Sequence, residues 1–455
     1  MFENTTAAEK EFIQTLCGEF KENNSIPTSD FLHYHVKRGL RNQDGTGVLA
    51  GLTMICNVHG YIIEDDEKVP HEGRLTYRGI NIRDIISGAQ SENRFAFEEV
   101  IWLLLFGKLP TASQLQAFNE LLNSRRELPE YFAEDMIFKA PSPNIMNKLA
   151  RSVLALYSYD QAPEDYSLEN VMMQCIDLIA KLPTIMTYSY QVKRRHYDHE
   201  SMFFHPVVPG HSTAESILNA LRPDRVFTDE EAKLLDLCMV LHAEHGGGNN
   251  STFATRVLAS TGTDTYSSIA AAVGSLKGPR HGGANLKVLE MMNDIQANVR
   301  DWKDEDEVSA YLEKIVRKEA GDRQGLIYGM GHAIYTLSDP RAVELKKNAR
   351  ILAEQKGMLD EWNLLEEVER LAPRAFGHVK GDVKTISANV DFYSGFVYKM
   401  LGIPSDLFTP LFAVSRVPGW CAHRIEETFS GGGRIMRPAY KSLAPKQKYI
   451  ALDER

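Results

Sequence analysis

Histidines, arginines and one aspartate, set in glycine- and proline-marked motifs, carry the chemistry this sequence can do. In LHAEHGGGNNST (241–252), His242 and His245 stand three apart with Glu244 between them, and three glycines follow. Histidines at i and i+3 share a helix face and could ligate a metal together with Glu244, as in a metallohydrolase. The pattern is H-x-x-H rather than H-E-x-x-H, however, and no acidic or cysteine cluster lies nearby. A phosphate loop would need the Lys-Ser/Thr of a Walker motif after a strand, which this run lacks, as does SGGGR (430–434). The third reading is positional. A helix from Glu231 would run to about His245, with Gly246 as its stop. His245 would then sit at the negative helix end, where a protonated or donating imidazole can hold a carboxylate. His242, one turn back on the apolar face, reads most simply as a core histidine.

The remaining candidates sit in different electrostatic settings. His281, in GPRHGGAN (278–285), precedes a helix start; free N–H groups and the positive dipole end favour a neutral imidazole there. A neutral imidazole can donate a hydrogen bond to a developing enolate oxygen. His332 lies in GMGHA (329–333), where flanking glycines let the backbone approach a ligand closely. Asp391, in SANVDFYSG (387–395), sits among apolar and aromatic residues, so desolvation would raise its pKa and suit it as a base; the plainer reading is a helix N-cap. Arg341 follows Asp339-Pro340, a helix-start signature, and Arg416 and Arg437 lie in AVSRVPGWCAHR and RIMRPAY. Each alone is an ordinary surface charge. Three of them beside three such histidines suggest a pocket for a small di- or tricarboxylate, because the guanidinium fork binds a carboxylate bidentately.

The elements that must position these groups are helices. FEEVIWLLLF (97–106) ends at Gly107, and capping boxes open helices at Thr111/Gln114 and Thr228/Glu231. Helical runs recur from NKLARSVLALYS to WNLLEEVERLA, and RDWKDEDE reads as a solvated helix start. Strand-like alternation is confined to GLTMICNVHGYII and GRLTYRG near the N-terminus. The fold class is therefore mainly α, with a minor β element.

The totals exclude several function classes. The 455 residues suffice for two domains, and 43% hydrophobic with 25% charged residues is ordinary for a globular enzyme. A formal net charge of −10 argues against nucleic acid or an anionic membrane as partner, and means an anionic substrate needs locally gathered arginines. Cys17, Cys56, Cys175, Cys238 and Cys421 are scattered and lack a C-x-x-C motif, which predicts reduced core thiols. The acidic N-terminus resembles neither a signal nor a transit peptide, and no apolar window is long enough to span a membrane. A cytoplasmic location is the expectation.

Taken in order, these motifs resemble the citrate synthase family, in its bacterial Si-type form. The resemblance runs from EGRLTYRGINIRDI (72–85) to RIMRPAY. LHAEHGGGNNST, GPRHGGAN, GMGHAIYTLSDPR, NVDFYSG and VSRVPGWCAH each resemble a family motif. It implies a two-domain helical fold: a large domain, 1–277 and 392–455, with a small domain, 278–391, inserted. It implies a homodimeric acyltransferase of the tricarboxylic acid cycle that condenses acetyl-CoA with oxaloacetate and hydrolyses citryl-CoA, without metal or redox cofactor. The nearest alternative is a 2-methylcitrate synthase using propionyl-CoA. By resemblance, Asp391 takes the methyl proton, His281 binds the thioester oxygen and His332 polarises the ketone. His245, Arg341 and Arg416 hold the oxaloacetate carboxylates, and Arg437 reaches the same ligand across the dimer interface. Ile327, Tyr328, Gly329, Met330 and Gly331 lie against CoA, and Lys384 contacts a CoA phosphate. Met330 stands where many family members carry an aromatic residue.

Overall fold

The computed structural model describes residues 6–455 apart from 43, 65, 66, 333, 382–385 and 432. The chain divides into two compact units, Met1–Gly51 and Leu52–Arg455. In the first, α1 (Ala7–Asn23) starts at a capping box between Thr6 and Glu9 and is followed by α2 (Thr28–His33). Neither helix buries a residue within the described chain, and Phe12, Ile13, Leu16 and Phe20 of α1 are exposed.

The second unit begins with an antiparallel sheet of β1 (Cys56–Glu64), β2 (Glu67–Tyr77) and β3 (Ile80–Asn81), in that order. Helices follow: α3 (Ile82–Ser91), α4 (Phe97–Phe106), α5 (Ala112–Ser124), α6 (Ile145–Leu156), α7 (Leu168–Tyr197), α8 (Thr213–Leu221) and α9 (Asp229–His242). Next come α10 (Asn250–Ala259), α11 (Thr265–Lys277), α12 (Ala284–Asn298) and α13 (Glu305–Val316). The last are α14 (Pro340–Gln355), α15 (Leu359–Lys380), α16 (Val390–Met400) and α17 (Phe408–Phe429). The fold is thus mainly α with a small sheet. The boundaries expected at 278 and 391 both fall inside this unit.

Local chemistry explains the helix ends. Gly107 stops α4 in the left-handed conformation at φ 84°, where a side chain would be strained. The predicted capping boxes at Thr111/Gln114 and Thr228/Glu231 are both formed. The periodicity missed the length of three helices because each contains a proline: Pro183 in α7, Pro373 in α15 and Pro418 in α17. Proline removes one intrahelical hydrogen bond and normally ends a helix. Here burial outweighs that loss. Pro183 and Pro418 are buried, and α17 places Trp420, Cys421 and Ala422 in the core. Each fully buried large apolar side chain contributes about 1.5–3 kcal/mol.

The cysteines are all free: Cys175, Cys238 and Cys421 are buried, Cys56 is half-buried, and Cys17 is exposed rather than in a core. Among the described residues no helix is long and apolar enough to cross a membrane.

Candidate active site

The end of α9 departs from expectation. The helix stops at His242, three residues before His245. Side chains take over the groups that would have continued it. The Tyr77 hydroxyl lies 2.9 Å from the Val240 carbonyl, 3.1 Å from the Glu244 carbonyl and 3.3 Å from the Glu244 N–H. Arg416 Nε donates to the His242 carbonyl. His245 therefore lies beyond the helix, and its pKa falls well below the ordinary value instead of rising. Burial is the main cause, with the Arg341 guanidinium next. The imidazole is neutral. His242 is fully buried edge-on to Phe412, with ring centroids 4.5 Å apart.

Two arginines face this turn. Arg341, at the start of α14, is buried and forms a two-pronged pair with its own N-cap, Asp339, at 3.0 and 2.7 Å. Burial opposes its charge, yet the Asp339 carboxylate holds its pKa above the usual value. Arg416 is wholly buried on α17, and burial lowers its pKa. Its two terminal nitrogens have no hydrogen-bond partner among the described residues, and neither has Nε2 of His245. Buried donors are costly unless satisfied, and a buried charge more so. A cage of unmet donors around a guanidinium has the chemistry to take a carboxylate. The same positive charge opposes a cation. Glu244, one arm of the metallohydrolase reading, is committed instead to His423 at 3.1 Å and the Gly246 N–H at 2.6 Å.

Three further groups are half-buried, so a ligand can reach them: His281, His332 and Asp391. The Ser251 N–H, at the start of α10, donates to His281 Nε2 at 3.3 Å, and Ser251 Oγ lies 3.1 Å from it. That leaves Nδ1 to carry the proton. Burial first, and Arg416 second, push the His281 pKa down to about 4, so the ring is neutral. α12 begins at Ala284, where a helix start is expected, but burial rather than the helix dipole is the leading cause of that neutrality. His332 Nδ1 accepts from the N–H groups of Ile334 and Tyr335 at 3.1 and 3.2 Å, which assigns the ring proton to Nε2. Its ring lies 5.1 Å from that of His245 and stacks on Tyr335 at 4.7 Å.

Asp391 is not an N-cap. Asn389 caps α16, its Oδ1 accepting the Asp391 N–H at 3.0 Å, and Asp391 sits in the first turn. Burial raises its pKa to about 6, against the pull of Arg341. The Asp339 carboxylate, paired with Arg341, also accepts the Val390 N–H at 3.3 Å, tying the start of α16, and with it Asp391, to the arginine cage. The 327–331 segment is stitched to the start of α16: Gly331 N–H donates to Ser387 O at 2.8 Å, and Asn389 N–H to Gly329 O at 2.9 Å. A Cβ on Gly329, at φ +77°, would meet Phe392 Cα at 2.9 Å, so only glycine fits.

Two candidates stand apart. Lys384 lies outside the described residues. Arg437 is exposed on the C-terminal segment and makes no hydrogen bond or ion pair among the described residues; its neighbour Met436 donates to Ser260 Oγ at 3.1 Å.

The citrate synthase C-terminal domain family matches residues 43–439. The chain belongs to the citrate synthase family. It is 36% identical to the citrate synthase of Acidithiobacillus ferridurans, covering 90% of this chain and 97% of that one. It is 33% identical to the 2-methylcitrate synthase of Shewanella oneidensis, covering 82% and 90%. Among solved structures it resembles citrate synthase from Thermoplasma acidophilum in ternary complex with carboxymethyl coenzyme A and oxaloacetate. That match has a TM-score of 0.73 and 27% identity, covering 92% of this chain and 99% of the other. It also resembles Pyrobaculum aerophilum citrate synthase, with a TM-score of 0.72 at 28% identity, covering 90% and 94%.

Sequence reasoning missed several residues that shape this citrate synthase site. Tyr77, Asp339, Ser251, Asn389 and His423 hold the candidate groups but bear no signal of their own. In the sequence Asp339 marks a helix start and Ser251 is one residue of a longer motif.

Proposed function

We propose that the site condenses acetyl-CoA with oxaloacetate and then hydrolyses the citryl-CoA. The observation that carries this reading is the buried Arg416 guanidinium, whose unmet donors call for a carboxylate. Arg341 and His245 complete the cage for oxaloacetate. The Asp391 carboxylate takes a proton from the thioester methyl group. His281 Nδ1–H donates to the thioester oxygen as it gains enolate charge. The enolate carbon attacks the oxaloacetate ketone, whose oxygen accepts from His332 Nε2–H. A carbon–carbon bond forms; water then cleaves the thioester and releases the CoA thiol. No group need gain a full charge in isolation: the base loses its charge as the oxygen gains it, between two neutral rings.

Residues 327–331 and Lys384 serve CoA in this reading, and 278–391 forms a small lobe that closes on the large one. In a homodimer Arg437 reaches the partner's oxaloacetate. Free cysteines fit a reducing cytoplasm. The relatives include 2-methylcitrate synthases, and one methylene changes selectivity by only about 1–3 kcal/mol. Thiol release with oxaloacetate and each acyl-CoA decides the matter. A higher kcat/KM for acetyl-CoA is expected; a propionyl-CoA preference would overturn the assignment.

A further inference from the structure

Behind the arginine cage runs a buried chain of ionisable side chains that takes no part in the chemistry above. Glu244 Oε1 accepts from the Gly246 N–H at 2.6 Å and from His423 Nε2 at 3.1 Å. His423 Nδ1 accepts from Arg256 Nε at 2.9 Å. Arg256 then pairs with Glu427 at 2.6 Å and with Glu426, which accepts the Met54 N–H at 2.8 Å. Glu244 and His423 are wholly buried, and Arg256 and Glu427 nearly so. Buried ionisable groups are unfavourable unless each is paired, so such a chain is held together or lost as a unit.

The backbone is shaped around it. A Cβ on Gly419 would lie 2.3 Å from Glu244 Oε2 and 2.4 Å from the Ala243 carbonyl, so α17 accepts Glu244 only at a glycine. Gly247 passes over the chain, its would-be Cβ 3.5 Å from both Arg256 Nε and His423 Cε1. The glycine run thus does two things: Gly246 turns the backbone at φ +87°, and Gly247 covers the buried relay.

Each member is tied to a residue of the site. Glu244 precedes His245. His423 lies two turns after Arg416 on α17, and Arg256 five residues after Ser251 on α10. Ser251 is the group that holds His281. The chain therefore links the carboxylate cage to the support of the enolate-binding ring.

We propose that Glu244, His423 and Arg256 are positioning residues that lock the His245 turn, Arg416 and Ser251 into one frame, and that this frame sets the affinity for oxaloacetate. The proposal rests on the reaction proposed above.

The test compares His423→Ala with His423→Gln in the full-length enzyme. A glutamine amide can donate to Glu244 while its carbonyl accepts from Arg256; alanine can do neither. His423→Ala removes a bond from each of two buried groups, Glu244 and Arg256, and should raise KM for oxaloacetate about tenfold, with kcat changed by less than about threefold. His423→Gln should recover most of that affinity. A merely structural role would lower the folded fraction, and so kcat, at unchanged KM. That pattern, or equal effects of alanine and glutamine, would overturn the proposal. Arg256→Lys keeps a charge beside Glu427 but cannot also serve His423, and it carries the test if His423→Ala does not fold: it should raise KM for oxaloacetate, and an unchanged KM would equally refute the frame. Wild-type enzyme assayed alongside separates the two levels. Without wild-type thiol release the reaction itself is wrong; with it, unaltered variants sink only the frame.

Discussion

The backbone N–H of Ser251 donates to Nε2 of His281 across 3.3 Å, so the proton of that neutral ring resides on Nδ1. In the proposed reaction the donor for the enolate oxygen is thus fixed by a helix start. Ser251→Ala removes Oγ but keeps the N–H. It should cost less than about tenfold in kcat, whereas His281→Ala, which removes the donor, should cost about 10²–10³-fold. Steady-state thiol release measures both, and equal losses would contradict the tautomer assignment.

The pH profile has a definite sign. Burial raises the Asp391 pKa to about 6, and in the proposed reaction Asp391 acts only as the carboxylate. kcat/KM should therefore be constant above neutral pH and fall as pH drops through about 6, approaching tenfold per unit below it. His281, pushed down to about 4, stays neutral across that window and adds no second limb there. A flat profile between about pH 5 and 7 would remove Asp391 as the titrating base.

In the proposed reaction Arg416 holds an oxaloacetate carboxylate at some expense of stability. Its terminal nitrogens are buried and have no hydrogen-bond partner among the described residues. Arg416→Met should raise KM for oxaloacetate by about tenfold or more, the value of a charge-assisted hydrogen bond. Tm should change little, since relief of the buried charge with its unmet terminal donors offsets loss of the Nε bond to the His242 carbonyl. Kinetics and thermal unfolding of the same preparation check both statements.

Gly329→Ala brings a Cβ against Phe392 in a backbone conformation at φ +77°. The combined clash and strain should cost about 2–3 kcal/mol and weaken binding of the acyl-CoA. Gly331→Ala, at φ +90° but with open space around the Cβ, should be milder. KM for acetyl-CoA and Tm distinguish the two.

What was legible in the sequence was local. The Asp339-Pro340-Arg341 helix start, the two capping boxes and the β ribbon all depend on residues a few positions apart, and all are present. The position of His245 was misread because Tyr77, far away on β2, satisfies the end of α9 and lets the chain leave the helix early. Its pKa moves the opposite way chiefly because the ring is buried, and secondarily because Arg341 from α14 and Arg416 from α17 stand near it. The Glu244–His423–Arg256 chain joins positions up to 179 residues apart, and no spacing rule reaches that far. α17 was hidden by Pro418, which reads as a helix breaker until its burial is known.

In the proposed reaction Asp391 removes the methyl proton and takes no part in holding oxaloacetate, which falls to Arg416, Arg341 and His245. Asp391→Asn separates the two roles in one protein. Calorimetric titration with oxaloacetate should give a Kd within about threefold of wild type, since no carboxylate-binding donor is lost, while thiol release falls by about 10³-fold or more. Condensation at a near wild-type rate, with binding intact, would contradict the account.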